Sequence, residues 1–242
     1  MINIEKLKKL INDSKNIVIF TGAGISVPSG IPDFRSNNGI NKEKRDNNIS
    51  AEEILSHHFF INHPKEFYNF YKKKMIYPNA LPNIAHKYFQ KLEEKNKKVT
   101  IVTQNIDGLH KLAGSKNILE LHGSVLRNHC MKCQKLHSVD KIITAVDIPY
   151  CDCGGIIKPD VVLYEEELNY KTLYSAINEI KKADLIIVIG TSLIVQPAAS
   201  LLQYRNTDNL IIINKEKTAY DRYAELVFNE DVIEVILGLE KV

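Results

Sequence analysis

Ile17-Val18-Ile19-Phe20-Thr21-Gly22-Ala23-Gly24 is an apolar, largely β-branched run that stops at two glycines separated by one residue. Four apolar residues in a row, without polar alternation, describe a strand covered on both faces, and the glycines describe a tight turn at its end. Ahead of it, Ile4, Leu7, Leu10 and Ile11 recur at helical spacing. The segment therefore reads as a helix, a buried strand and a glycine turn, the opening of an open α/β sheet.

Strands of the same kind recur down the chain. Val99-Thr100-Ile101-Val102 ends at the polar run Thr103-Gln104-Asn105-Ile106-Asp107-Gly108-Leu109-His110, and Ile118-Leu119-Glu120-Leu121 precedes His122. Leu185 to Ile189 ends at Gly190-Thr191-Ser192, Leu210 to Ile213 at Asn214-Lys215, and Ala224 to Phe228 at Asn229-Glu230-Asp231. A helical pattern covers 83 to 96, and others separate the strand at 185 from that at 210. The prediction is an α/β fold with a Rossmann-like, mostly parallel sheet, its frame built from about 1–35, 82–124 and 158–242. Two insertions form a smaller domain: an aromatic-rich module of loop and small helices at about 36–81, and a cysteine-bearing module at about 125–157.

Composition narrows the function classes. The chain has 242 residues, 44% of them hydrophobic and 25% charged, enough for a full α/β core with a small attached module. A formal charge of +3 with dispersed lysines gives no electrostatic basis for nucleic acid as the main ligand. No apolar run is long enough to cross a bilayer, and Met1 to Leu7 mixes charged and apolar residues instead of forming a signal-peptide core. A soluble cytoplasmic monomer is expected.

All four cysteines, Cys130, Cys133, Cys151 and Cys153, lie in C-x2-C and C-x-C pairs with 17 residues between the pairs. In a reducing compartment such pairs favour a metal over disulfides, and four thiolates suit one tetrahedral zinc ion. Four protein ligands leave no open position, so this zinc is structural. Elsewhere, Gly22 and Gly24 allow a pyrophosphate to approach the backbone, although Val27 stands where a full G-x-G-x-x-G has its third glycine and a plain tight turn also explains the pair. Asp33-Phe34-Arg35 suits a flap over a charged ligand. Asn105 and Asp107 suit either hydrogen bonding to a polar ligand or a capped turn.

Taken together, G-A-G-I-S-x-x-S-G-I-P-D-F-R at 22–35, T-Q-N-I-D-x-L-H at 103–110, L-H-G-S at 121–124, the four cysteines, G-T-S-L at 190–193 and I-N at 213–214 resemble the sirtuins, the NAD-dependent protein-lysine deacylases. The resemblance runs from Lys15 to about Val235. It implies that the acyl oxygen of a modified lysine attacks ribose carbon 1 of NAD as nicotinamide leaves. A base then activates a ribose hydroxyl against the alkylimidate, and water releases free lysine and O-acyl-ADP-ribose.

The resemblance also implies roles for residues. His122 matches the base, and a near-neutral imidazole suits a ribose proton; Asn105 and Asp107 match the nicotinamide pair, and Gln104 a ribose ligand. Gly22, Ala23, Gly24, Val27, Asp33, Phe34, Arg35, Ile106, Gly190, Thr191, Ser192, Asn214 and Lys215 match further NAD contacts. Asp231 and Val232 match the adenine side, where Asp231 can equally cap the last helix. Val162, Leu163, Tyr164, Glu165 and Val195 match the substrate side, where an acyl-lysine peptide adds as a β-strand along 158–166. The family pattern there ends Phe-Gly-Glu, whereas this chain has Tyr164-Glu165-Glu166, and Glu165 is expected to favour basic residues near the modified lysine. Succinyl-preferring members carry a paired tyrosine and arginine after the first motif. Between Asn37 and Ser50 only Arg45 is found, so acetyl is the expected acyl group. His110 is read as a structural residue at a helix start.

Overall fold

In the computed structural model, which describes residues 2–34, 36, 39–42 and 49–241, the run around Ile17 is strand β1 (Asn16–Thr21), preceded by helix α1 (Ile2–Asp13). The aromatic-rich segment then supplies three helices, α2 (Ala51–Ile54), α3 (His57–Asn62) and α4 (Pro64–Lys74), before α5 (Ile84–Glu94) returns the chain to β2 (Lys98–Thr103). A short α6 (Leu109–Leu112) and β3 (Ile118–Glu120) follow. The cysteine region forms β4 (Gly123–Cys130), β5 (Leu136–Ser138), α7 (Val139–Ile143) and β6 (Ile157–Val161). The chain ends with α8 (Tyr170–Lys182), β7 (Leu185–Ile189), β8 (Leu210–Ile213), β9 (Leu226–Phe228) and α9 (Val232–Lys241).

Six strands form one parallel sheet in the order β3-β2-β1-β7-β8-β9. Its uninterrupted apolar strands are explained by cover on both faces. Ile17, Ile19, Leu185, Ile187, Ile189, Ile211 and Ile213 enter one core with α1, α5 and α9. Val18, Phe20, Ile186, Val188, Leu210 and Ile212 enter the other, against α8 and a six-residue 3-10 helix, Ala199–Tyr204. That 3-10 helix, and not an α-helix, ends the connection from β7 to β8.

The two inserted segments are separate in sequence but share one core. Phe60, Phe67, Tyr68 and Tyr71 of the helices pack with Val125, Cys130, Ile142, Cys151 and Ile157 of the cysteine region, and the Tyr68 hydroxyl donates to the Ile157 carbonyl. The strand predicted within 158–166 is β6, which stops at Val161 and pairs antiparallel with β4, outside the parallel sheet. The second sheet, β5-β4-β6, thus joins the frame directly beyond His122.

Candidate active site

From β1 the chain continues toward β2 on one side, and from β7 toward β8 on the other, so the carboxyl ends of these neighbours open the crevice in which such sheets bind ligands. The two loops there touch. Gly22 N–H donates to the Ile189 carbonyl at 3.0 Å and Gly24 N–H to the Gly190 carbonyl at 2.8 Å. A Cβ on Gly24 would lie 2.5 Å from Gly190 Cα, and one on Gly190, whose φ is +59°, 2.5 Å from Ile25 N. Loop-on-loop packing is therefore a second cause for these glycines, beside access to a phosphate.

The polar run after β2 is fastened on all sides. Gln104 N–H donates to the Thr21 carbonyl at 2.9 Å, and the Gln104 side-chain amide donates to Thr191 Oγ1 at 3.1 Å, bridging the loops after β2 and β7. The Thr191 oxygen also accepts Leu193 N–H at 3.2 Å. Asn105 Nδ2 donates to Ser26 Oγ at 3.1 Å, and the Ser26 hydroxyl donates to Asp107 Oδ2 at 2.8 Å. Asp107 Oδ1 accepts Leu109 N–H at 2.8 Å at the start of α6. Burial raises the Asp107 pKa above the usual carboxylate value, opposed by these bonds from Leu109 and Ser26.

His122 occupies the turn between β3 and β4. Its Nδ1–H donates to the Gln104 carbonyl at 2.9 Å, which fixes the tautomer and leaves Nε2 unprotonated. Burial lowers the imidazole pKa, and the bond to Gln104 opposes that shift. Gly123, with φ +75°, makes the turn possible, because a Cβ there would stand 2.0 Å from the Asp160 carbonyl oxygen. Val125 N–H donates to the Ile106 carbonyl at 2.9 Å, so the His122 turn and the Asn105 loop hold each other.

Past β6, Val162 N–H donates to the His122 carbonyl at 3.0 Å and Tyr164 N–H to the Leu55 carbonyl at 3.0 Å. The segment 162–165 thus spans from the His122 turn to the helical segment. Glu165 has φ +75°, the left-handed conformation that favours glycine. Its carboxylate accepts His58 N–H at 2.9 Å in the first turn of α3. The expectation that Glu165 serves substrate charge must accommodate this helix-capping bond. Glu166 is similarly engaged, with His57, Lys158 and Leu163 N–H.

At the other end of the crevice, Asn214 follows β8, and Lys215 pairs with Asp231 at 2.8 Å. Asp231 Oδ1 also accepts Ile233 N–H at 2.9 Å, so it does cap α9 while facing the same space. A cavity of about 630 Å³ is lined by every cofactor and substrate residue named from the sequence that lies among the described residues. Arg35 and Arg45 lie outside the described residues.

The four cysteine sulfurs lie within 4.8 Å of one another, with Cys130–Cys153 at 3.4 Å and Cys133–Cys151 at 3.7 Å. A tetrahedron of ~2.3 Å zinc–sulfur bonds has sulfurs about 3.8 Å apart, so the set fits zinc. Lys132 and Cys133 N–H groups both point at Cys130 Sγ at 3.4 Å, an arrangement that favours a thiolate.

Residues 22–197 match the model of the Sir2 family. The chain is 53% identical over 235 residues to the NAD-dependent protein deacetylase of Clostridium perfringens, covering 96% of each, and 50% identical to that of Clostridium tetani, covering 97% of this chain and 96% of the relative. It belongs to the Sir2 family. Among solved structures, a Sir2 variant with deacetylated p53 peptide and 3′-O-acetyl ADP ribose superimposes with a TM-score of 0.90 at 40% identity, over 99% of this chain and 98% of that one. A complex of Sir2 with p53 peptide and NAD+ gives 0.85 at 38% identity, over 98% and 97%.

In this sirtuin the residue that sequence reasoning passed over is Ser26. It stands inside the first motif, but a serine in a glycine-rich turn gives no sign that it will bridge Asn105 and Asp107, 79 and 81 positions away along the chain. Ile40, Leu55, Tyr71 and Met75 were likewise unassigned, although they line the cavity beside Leu163. Their apolar periodicity indicates only burial.

Proposed function

We propose that this sirtuin removes acyl groups, acetyl first, from protein lysines at the expense of NAD. The carrying observation is His122, with Nδ1 committed to Gln104 and Nε2 free to accept a proton, in the wall of a cavity shared with Asn105, the strand-end glycines and Val162–Glu165. The family relatives, named NAD-dependent protein deacetylases, point the same way. NAD supplies an activated ribose carbon with nicotinamide as leaving group. Asn105 and Asp107 orient the carboxamide, Gln104 and the loops after β1 and β7 hold the ribose and phosphates, and His122 Nε2 takes the ribose hydroxyl proton. Asn214, Lys215, Asp231 and Val232 take the adenosine end.

The apolar wall formed by Ile40, Leu55 and Met75 suits a short neutral acyl chain. Zinc, held by the four cysteines, maintains the small domain and takes no part in hydrolysis. A cytoplasmic monomer without a nucleic-acid ligand completes the proposal, supported by metal-ligand thiolates, which suit a reducing compartment, and by near-neutral charge. Among the described residues no helix is long and apolar enough to cross a membrane.

Mass spectrometry of NAD with an acyl-lysine peptide panel tests the reading. Deacetylated peptide and O-acetyl-ADP-ribose are expected in equal amounts, faster for acetyl than for succinyl. Free ADP-ribose with an unchanged peptide would instead identify an NAD glycohydrolase, and an ADP-ribosylated peptide a transferase.

A further inference from the structure

Behind the cavity lies a buried histidine for which the proposed reaction has no task. His110, only 3% exposed, sits in α6 with Nε2 3.1 Å from Thr21 Oγ1. Thr21 and Thr103 are register partners at the ends of β1 and β2, and their hydroxyls lie 2.8 Å apart. Thr103 Oγ1 also accepts the main-chain N–H of Asn105 at 3.0 Å. Asn105 lines the cavity, whereas His110, Thr21 and Thr103 do not. Polar contacts therefore run unbroken from His110 to the back of Asn105.

Proton accounting orients this relay. If the Thr21 hydroxyl donates to Thr103, its oxygen accepts from His110 Nε2–H, and the unpartnered His110 Nδ1 is a bare lone pair. The reverse orientation would bury an unpaired Nδ1–H, the rarer and more costly defect. His110 is thus a neutral Nε2–H donor. His86 of α5 packs its ring 4.8 Å away, and burial depresses both pKa values, leaving both imidazoles uncharged at neutral pH. A second arm starts one residue earlier in α6, where Leu109 N–H meets Asp107, and runs through Ser26 to the Asn105 side chain. Asn105 is gripped by its main chain through one arm and by its amide through the other.

We propose that His110 is a positioning residue for deacetylation: its Nε2–H orients the Thr21–Thr103 hydroxyl pair so that Thr103 holds the Asn105 main chain, setting the Asn105 amide for the nicotinamide end of NAD. The proposal rests on the role assigned above to Asn105. It gives His110 a function beyond filling space at a helix start.

Steady-state kinetics with NAD and an acetyl-lysine peptide test it in four variants. His110→Phe keeps a ring without the donor and is expected to lower kcat about tenfold, the effect of one lost transition-state contact, with peptide KM unchanged and nicotinamide inhibition weakened. His110→Gln restores an N–H near Nε2 and is expected to recover most of both. Thr21→Val removes the next link without touching the histidine, and the double variant should be no worse than the worse single one. Wild-type kcat and nicotinamide sensitivity in His110→Phe, or additive losses in the double variant, would overturn the proposal. Should His110→Phe fail to fold by circular dichroism, Thr21→Val alone decides by the same criteria. If the wild type yields no deacetylated peptide, the deacetylase reading fails separately, and calorimetric NAD affinities of the same variants still decide the relay: weakened by Thr21→Val if it operates, unchanged if it does not.

Discussion

The chemistry of His122 follows from one hydrogen bond. With Nδ1–H given to the Gln104 carbonyl, Nε2 can only accept, so protonation of the ring would abolish the proposed base. Because burial depresses its pKa below the ordinary 6.5, the neutral form persists to lower pH. The acid limb of kcat/KM against pH is therefore expected below 6.5, and His122→Ala should lower kcat by about 100-fold or more, the scale of general-base catalysis. An acid limb above 6.5 in the wild type would contradict the burial argument. Glu165 is a residue whose context adds a structural task to the one expected from the sequence. It stands at φ +75° and caps α3 through His58. Glu165→Ala loses the cap and keeps the strain, while Glu165→Gly loses the cap and sheds the strain, so the glycine variant is expected to be more stable than the alanine variant by about 1 kcal/mol in urea unfolding. Equal stabilities would remove the strain account.

Among the elements, the β5-β4-β6 sheet lies beside the four cysteines that fit zinc. Cys130 and Cys151 are buried in the core that also holds Phe60, Tyr68 and Ile157, so their thiolates anchor the helical segment as well as the strands. Removing zinc with a chelator is expected to melt this small domain and abolish activity, with a loss on the order of 10 kcal/mol, the scale of structural zinc binding. Metal analysis should give roughly one zinc per chain, as a four-thiolate site holds. Metal-free protein with an unchanged unfolding curve would show that the core suffices alone. The elements of the parallel sheet were plain from pattern, since β7 and β8 are unbroken apolar runs and β1 holds one at 17–20. The 3-10 helix at Ala199–Tyr204 was less legible, because its apolar spacing serves a tighter helix as well as an α-helix.

For the whole molecule, the buried imidazoles tie stability to pH. Unfolded histidines protonate near 6.5, while folded His86 and His110 stay neutral to about 4 and about 3. Between those values the unfolded state binds more protons, so this stability is complete above 6.5 and is lost as pH falls toward the folded pKa values. His86 alone accounts for about 3 kcal/mol across that window. Urea unfolding between pH 7 and 4 should therefore show a shallower loss in His86→Leu than in the wild type, and parallel curves would refute the linkage. Sequence by itself determined the parallel sheet, the thiolate set and the residues that meet at the crevice, because apolar runs, cysteine spacing and strand-end motifs are local patterns that the chain carries wherever it folds. Tertiary structure alone decided that two distant insertions share a core, that Ser26 joins Asn105 to Asp107, that Glu165 caps a helix and that His110 stands behind Asn105. Each of those is a contact between segments far apart along the chain, and a pairing of that kind is set by packing, which no single segment encodes.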